Sequence, residues 1–150
     1  MVERELHIKA TPQTVWRLVT DPRRTPEWLT FAVAVDVLDG FGRGQLQRIS
    51  CRSGRREITV VRVVSVFDTM AWVQWDVVAG DGAPPGSYRP GKRFAVEMEP
   101  TGAGTFVRLH SEPQGSGAEM IGARGRRGAR RDLRRSLDLL RHLAEREERR

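Results

Sequence analysis

The most reactive side chains in this sequence are one cysteine and three histidines, and their spacing argues against a shared site. Cys51 lies in an alternating, strand-like stretch, whereas His7, His110 and His142 are far apart in the chain. Structural zinc sites usually draw ligands from closely spaced cysteine or histidine pairs, and the sequence has none. We therefore expect no metal centre and no cofactor, and we expect Cys51 to be an inert buried thiol.

Two glycine-containing motifs also fall short of catalytic or nucleotide-binding signatures. GFGRG, residues 40–44, lies between two predicted strands and does not open a helix, so it predicts a turn and not a dinucleotide site. QGSGA, residues 114–118, has no strand directly before it and lacks the spacing of a nucleophile elbow. The sequence identifies no catalytic residue.

Length and composition predict one ordinary domain. A chain of 150 residues falls in the usual size range of a single domain with its own core. The lone cysteine excludes an internal disulfide, and the charged N-terminus MVERELHIKA lacks the apolar run of a secretory signal. No stretch has the roughly 20 apolar residues that a membrane span requires. We expect a cytoplasmic protein.

The positive charge is concentrated near the C-terminus. Residues 123–150 hold 11 arginines against five acidic residues, so they carry six of the seven net positive charges. The segment 123–135 resembles RG-rich nucleic-acid binders, but no aromatic residue interleaves its arginines for base stacking. We favour a solvated helix face over a nucleic-acid partner.

The N-terminal residues predict a strand followed by two short helices. Residues 2–10 alternate as a half-buried strand does. Thr11-Pro12 has the chemistry of a helix start, Asp21-Pro22 repeats it, and Thr25-Pro26 interrupts the helix again. Helices this short need support from the rest of the fold.

The middle of the chain predicts six further antiparallel strands, and its C-terminus a long helix. A three-residue loop, Asp68-Thr69-Met70, would place Val63 opposite Trp75, Val61 opposite Val77 and Arg62 opposite Asp76. Residues 81–91 predict a loop and 112–128 a linker that gains a helical turn around Met120. From about Ala129 the apolar spacing predicts an amphipathic helix. The predicted strands are 31–39, 45–54, 57–67, 71–80, 92–100 and 105–113, and the helix repeats Leu133, Leu137, Leu140 and Ala144.

This order of elements, together with three segments, resembles the START-like, or Bet v 1-like, superfamily in its bacterial SRPBCC (polyketide cyclase/dehydrase) branch. The segments are ATPQTVWRLVTDPRRTPEWL, MEPTGAGTFVRL and SLDLLRHLAE, and with their spacing they cover nearly the whole chain. The resemblance implies one α+β helix-grip domain over residues 1–150. Its seven-stranded antiparallel curved sheet would wrap the C-terminal helix, leaving a cavity that the two short helices close at one end.

Strand alternation and the resemblance together predict the walls of that cavity. The apolar lining suits a hydrophobic small molecule, lipid-like or polyketide-like, and the resemblance makes Trp28 a wall at the mouth. Trp16 instead anchors the first helix to the sheet. In the alternative interpretation, these side chains fill the space themselves. The predicted ligand-binding residues are Trp28, Val35, Val61, Val63, Val73, Trp75, Phe94, Val96, Met98, Val107, Leu109, Leu137 and Leu140.

Two other function classes remain open. A cyclase-type enzyme would need polar side chains facing the cavity, but alternation points the candidates Gln74, Asp76, Arg108 and His110 outward and places Tyr88 in a loop. A protein-interaction or assembly factor would use the outer sheet face, as a homodimer or with a protein client. The apolar residues predicted on that face are Ile58, Val60, Val64, Val66 and Trp72.

Overall fold

The computed structural model describes residues 2–53, 56–79, 93–112 and 122–150. Within these ranges the strands form one antiparallel sheet in the order β1-β7-β6-β5-β4-β3-β2. None of the helices in the described ranges is long and apolar enough to cross a membrane. The strands are β1 (Val2–Ile8), β2 (Ala32–Asp39), β3 (Leu46–Ser53), β4 (Arg56–Asp68), β5 (Trp72–Ala79), β6 (Arg93–Thr101) and β7 (Gly104–Glu112). The helices are α1 (Pro12–Thr20), a 3-10 turn (Pro22–Arg24), α2 (Thr25–Trp28) and α3 (Gly122–Glu148).

The predicted helix starts between β1 and β2 are confirmed. The Thr11 hydroxyl oxygen accepts the backbone N–H of Thr14 at 3.4 Å, and Asp21 Oδ1 accepts the N–H of Arg23 at 3.0 Å. Each cap satisfies a backbone donor that the first helical turn leaves free. The Trp16 ring packs edge-on against Phe67 of β4 with centroids 5.2 Å apart, so it fastens α1 to the sheet as predicted.

Helix α3 packs its apolar stripe against the inner face of the sheet. Leu133, Leu137, Leu140 and Ala144 are at most 4% exposed, and burial of each leucine contributes on the order of 2 kcal/mol. The helix begins at Gly122 instead of near Ala129, so residues 122–128, predicted as part of a linker, are helical. The predicted loop at residues 81–91 and the helical turn around Met120 lie outside the described residues. The α+β helix-grip fold is confirmed.

Polar contacts hold the two short helices against α3. The Thr14 hydroxyl donates to Glu148 Oε2 at 2.5 Å, and the Arg24 guanidinium donates to Glu147 and, at 2.7 Å, to Glu27. The hydrogen bond from Arg24 also lowers the pKa of the Glu27 carboxyl. Helices of nine and four residues are not stable alone, so these contacts and core packing supply their support.

The predicted register between β4 and β5 is wrong, although the predicted loop length is right. Three residues do join the strands, but they are residues 69–71, because β4 extends to Asp68. Val64 lies opposite Trp75 and Val66 opposite Gln74, so Ser65 is an extra residue in β4. Such a β-bulge reverses the face of every residue on its far side.

Because of the bulge, the face of β4 that meets the core is opposite to the predicted one. Val61 and Val63, predicted to face inward, pair with Arg48 and Leu46 on the outer face and are only partly buried. Hydrophobicity alone does not separate the two faces of this strand, because both alternating sets are aliphatic. The residues that face inward instead are Ile58, Val60, Arg62 and Val64.

Gly104 of the β6–β7 hairpin provides a test of this packing. Its φ is +150°, and an added Cβ would overlap the carbonyl oxygen of Ile8 on the neighbouring strand. Gly104→Ala should lower the free energy of unfolding by about 3 kcal/mol, measured by urea denaturation. Gly102→Ala, in the same turn with no atom within 4 Å of the added Cβ, should stay within about 0.5 kcal/mol of the parent. Equal effects of the two substitutions would contradict the β1–β7 packing described.

Candidate functional site

Most of the predicted ligand-binding residues lie together between the sheet and α3. One hydrophobic cluster contains Trp28, Val73, Trp75, Phe94, Val96, Met98, Val107, Leu109, Leu137 and Leu140, with Val35 partly buried against it. Val61 and Val63 are outside this cluster, on the opposite face of the sheet. Because the cluster members are packed against one another, a ligand would have to displace some of them to enter.

Aromatic rings form one side of this cluster around Phe94. The Phe94 centroid is 6.0 Å from that of Trp75, 6.2 Å from that of Phe31 and 6.4 Å from that of Trp28. Ring pairs at these separations attract one another beyond the burial of their surface. The group joins α2, the segment after it and strands β5 and β6, so Trp28 is fully buried in the core.

An arginine lies buried on the same inner face. Arg62 is 5% exposed, its Nε donates to Gln47 Oε1 at 2.9 Å, and its guanidinium lies 4.7 Å from the centroid of a Trp75 ring. Among the described residues no carboxylate pairs with it. Burial lowers the pKa of Arg62 to about 10, so the group still carries its charge at neutral pH. A buried cation without an anion is a rare and costly arrangement.

A short chain of glutamines orients the oxygen that Arg62 contacts. Gln47 is 3% exposed, and its Nε2 donates to Gln45 Oε1 at 2.6 Å. Gln45 Nε2 in turn donates to the carbonyl oxygen of Gly40 at 3.2 Å. This network fixes the Gln47 amide with its oxygen toward Arg62. The guanidinium is therefore held in place by a neutral partner.

Two indole donors of the hydrophobic cluster have no acceptor among the described residues. The indole N–H groups of Trp28 and Trp75 are buried and make no hydrogen bond to the described residues. Buried donors without partners are uncommon in folded proteins and call for an explanation. Arg62 and both indoles only donate hydrogen bonds, so a complementary ligand would supply oxygen acceptors.

Cys51 lies on the same inner face, fully buried on β3. Burial raises the pKa of its thiol to about 11, with the positive charge of Arg62 acting in the opposite direction. The thiol is therefore protonated at neutral pH, and a protonated thiol is a poor nucleophile. Its burial is as predicted from the sequence.

The polar candidates for acid-base chemistry lie on the outer face, as predicted. Asp76 accepts from Arg93 Nε at 2.8 Å, so the predicted Arg62–Asp76 pairing is wrong. Arg108 pairs with Glu5 at 2.8 Å. His110 lies 3.0 Å from both Glu3 and Glu97 and stacks on Trp72, with centroids 5.1 Å apart. Gln74 donates to the Ser65 hydroxyl on that face, and Tyr88 lies outside the described residues.

The apolar outer patch predicted from the sequence is partly wrong. Ile58, Val60 and Val64 belong to the core, which leaves Val66 and Trp72 of that set on the outer face, both partly buried. The bulge at Ser65 again explains the difference. Val61 and Val63 take the places of these three residues, so the apolar residues on this face differ from the predicted set.

Sequence reasoning missed Arg62 and Gln47. One signal was present: Arg62 is the only charged residue in the run ITVVRVVSVF, so either it or its aliphatic neighbours had to face the core. The predicted pairing with Asp76 instead placed Arg62 on the outer face of the sheet. The bulge at Ser65 decides which face of β4 meets the core, and no residue type in the strand indicates where that bulge lies.

The sequence was compared with known protein families and with curated proteins. Residues 1–145 match the family described as polyketide cyclase / dehydrase and lipid transport. A comparison with curated proteins gives no match.

Three solved structures share the fold at low sequence identity. The di-domain ARO/CYC StfQ from the steffimycin biosynthetic pathway has a TM-score of 0.71 at 20% identity, covering 100% of this chain and 46% of StfQ. Ara h 8.0201 has a TM-score of 0.65 at 10% identity, with 95% of each chain covered. The Aha1 dimer from Colwellia psychrerythraea has a TM-score of 0.63 at 17% identity, covering 96% of this chain and 95% of that one. Since the family match spans almost the entire sequence, this protein is a member of the polyketide cyclase/dehydrase and lipid transport family.

Proposed function

We propose that this protein binds an apolar small molecule that carries an anionic or carbonyl oxygen, in the core between the sheet and α3. The observation that carries this proposal is Arg62, a buried cation without a carboxylate partner among the described residues. Arg62 anchors the oxygen of the ligand, and the aromatic group around Phe94 contacts its apolar part. Val61 and Val63 are not part of this site.

The energetic argument starts from the cost of burying Arg62. One pKa unit corresponds to about 1.4 kcal/mol. Lowering the pKa of Arg62 from its usual value to about 10 therefore costs the folded protein on the order of 3 kcal/mol. An anionic ligand would offset this cost, because an ion pair at low dielectric is strong when both partners are already desolvated.

The chemistry of the surrounding walls narrows the ligand class. About 300 Å² of apolar burial contributes roughly 7 kcal/mol before ordering costs, which supports micromolar affinity at best. A charge-assisted hydrogen bond adds about 1.5–3 kcal/mol, or roughly ten- to a hundredfold. Lipid-like acids and oxygen-rich polyketide-like molecules both meet these requirements, and they agree with the family description and with the pathway named for StfQ.

Binding alone accounts for these features without turnover. The acid-base groupings centred on Asp76 and His110 lie on the outer face, away from Arg62. The thiol of Cys51, the single cysteine of the sequence, is kept protonated by burial and is therefore a poor nucleophile. A cyclase-type reaction would have to rely on orientation of the substrate by Arg62 and the indole donors.

Two fluorescent dyes that differ in one charged group test the proposed anchor. Anilinonaphthalene sulfonate carries a sulfonate, and N-phenylnaphthylamine has a closely similar aromatic body without it. The protein should bind the sulfonate dye at least tenfold more tightly, because a charge-assisted contact with Arg62 adds at least about 1.5 kcal/mol. Arg62→Met should remove this preference and leave affinity for the neutral dye unchanged, measured by fluorescence titration.

Arg48→Met is the matched control, since Arg48 is an exposed arginine on the opposite face of the neighbouring strand. It should retain the preference for the sulfonate dye. A preference that survives in Arg62→Met would remove Arg62 from the site, and failure of the parent to bind either dye would overturn the proposed function itself.

Thermal and urea denaturation test the cost of the buried charge. Arg62→Met should be at least as stable as the parent within about 1 kcal/mol. Removing the buried charge stabilises the variant by about 3 kcal/mol. Losing the hydrogen bond to Gln47 and the contact with Trp75 destabilises it by about 2–3 kcal/mol together. An ordinary buried side chain would instead cost 2–5 kcal/mol on truncation.

The pH dependence of this stability difference has a defined sign. The penalty on the parent is fully present below about pH 10, where folded Arg62 holds its proton. Above that pH the folded state loses the proton before the unfolded state does, so the penalty shrinks. The stability of the variant relative to the parent should therefore fall as pH rises from 9 to 11. A constant difference over that interval would contradict the lowered pKa.

A further inference from the structure

The face of α3 that points away from the core has its own pattern. Six residues recur at intervals of four, four, three, four and three positions and are all exposed: Arg131, Arg135, Leu139, His142, Arg146 and Arg149. At 3.6 residues per turn they form one line, which we call the outer stripe. The line lies opposite the buried Leu133, Leu137, Leu140 and Ala144 and is about 27 Å long.

The outer stripe contains no acidic residue, and four of the five carboxylates elsewhere on α3 are engaged by other groups; the fifth, Asp132, is exposed and makes no ion pair within the described residues. Asp138 pairs with Arg134 and Arg141, while Glu147 and Glu148 are held by Arg24 and Thr14. Among the described residues no ion pair involves the arginines of the stripe, although Arg146 contributes to lowering the pKa of Glu27. The stripe therefore presents four positive charges to its surroundings.

A groove beside the outer stripe is lined by side chains of both signs. It has a volume of about 500 Å³ and lies between β1 and α3, where Lys9, Arg141 and Arg149 line it. Its two carboxylates are occupied: Asp138 faces the arginines named above, and Glu145 Oε2 accepts the backbone N–H of Lys9 at 3.3 Å. Apart from Arg149, which belongs to the stripe, the groove carries two cationic and two acidic side chains, so it adds no net charge to the line of arginines.

We propose that the outer stripe docks on an anionic lipid surface, with α3 lying parallel to it. A straight line of arginines matches a flat layer of phosphate groups, and each guanidinium binds two phosphate oxygens at once. Leu139, 39% exposed at the centre of the line, fits the boundary of the apolar lipid region. A nucleic acid is less well matched, since the stripe offers no Phe, Tyr or Trp and His142 is its one ring for stacking on bases. This surface is separate from the ligand site, and its role does not depend on that site.

Vesicle flotation tests this proposal. The protein should float with phosphatidylcholine vesicles that contain phosphatidylglycerol, should not float with phosphatidylcholine alone, and should dissociate at high salt. The double variant Arg135→Gln/Arg146→Gln should bind the anionic vesicles roughly 25-fold more weakly, since each arginine near such a surface contributes about a fivefold change.

The matched control removes the same charge elsewhere. Arg43 and Arg48 are exposed on the β2–β3 turn and on β3, so Arg43→Gln/Arg48→Gln should stay within about twofold of the parent. Unchanged dye binding and thermal unfolding would confirm that both double variants are folded. Equal loss in the two variants would indicate a response to net charge alone and overturn the docking surface. So would absence of flotation by the parent, or stripe-dependent binding to RNA without binding to vesicles.

Discussion

The burial of one helix face against a curved sheet is the constraint on which the rest of this structure depends. The apolar stripe of α3, centred on Leu137 and Leu140, is removed from water only when the sheet curves around it. The short helices α1 and α2 have too few residues to be stable alone, and they gain their support from the same packing. The candidate site lies at this contact, so ligand binding and core stability draw on the same side chains.

Arg62 places a charge in an otherwise apolar region of that contact. A methionine of similar length would fill the space without the desolvation cost, whereas the arginine is held by Gln47 and the face of Trp75. Its positive charge and the indole N–H groups of Trp28 and Trp75, which have no acceptor among the described residues, are the features on which the proposed ligand class rests. In the proposed function, the same residue that weakens the folded state also selects the ligand.

The last turns of α3 illustrate how tertiary contacts outweigh a local preference. Acidic residues near the C-terminus of a helix are disfavoured by the helix dipole, yet Glu145, Glu147 and Glu148 all lie there. Each of them accepts a hydrogen bond from the N-terminal part of the chain: Glu145 from the backbone of Lys9, and the other two from side chains of the short helices. These carboxylates hold the helix end in place and leave the opposite side of α3 to arginines. One helix thereby forms a wall of the core and presents a basic surface outside.

The sequence by itself determined the order of the elements, the helix starts at Thr11 and Asp21, the buried stripe of α3 and the inner faces of β5, β6 and β7. These features are local, because caps and alternation act over a few residues. Only the tertiary structure decided which face of β4 meets the core. Both faces of that strand carry aliphatic residues, so alternation does not decide between them, and the extra residue at Ser65 selects the face that includes Arg62. Hydrophobic patterning does not reveal this bulge, and because of it Arg62 lies in the candidate site and not on the outer face predicted from the sequence.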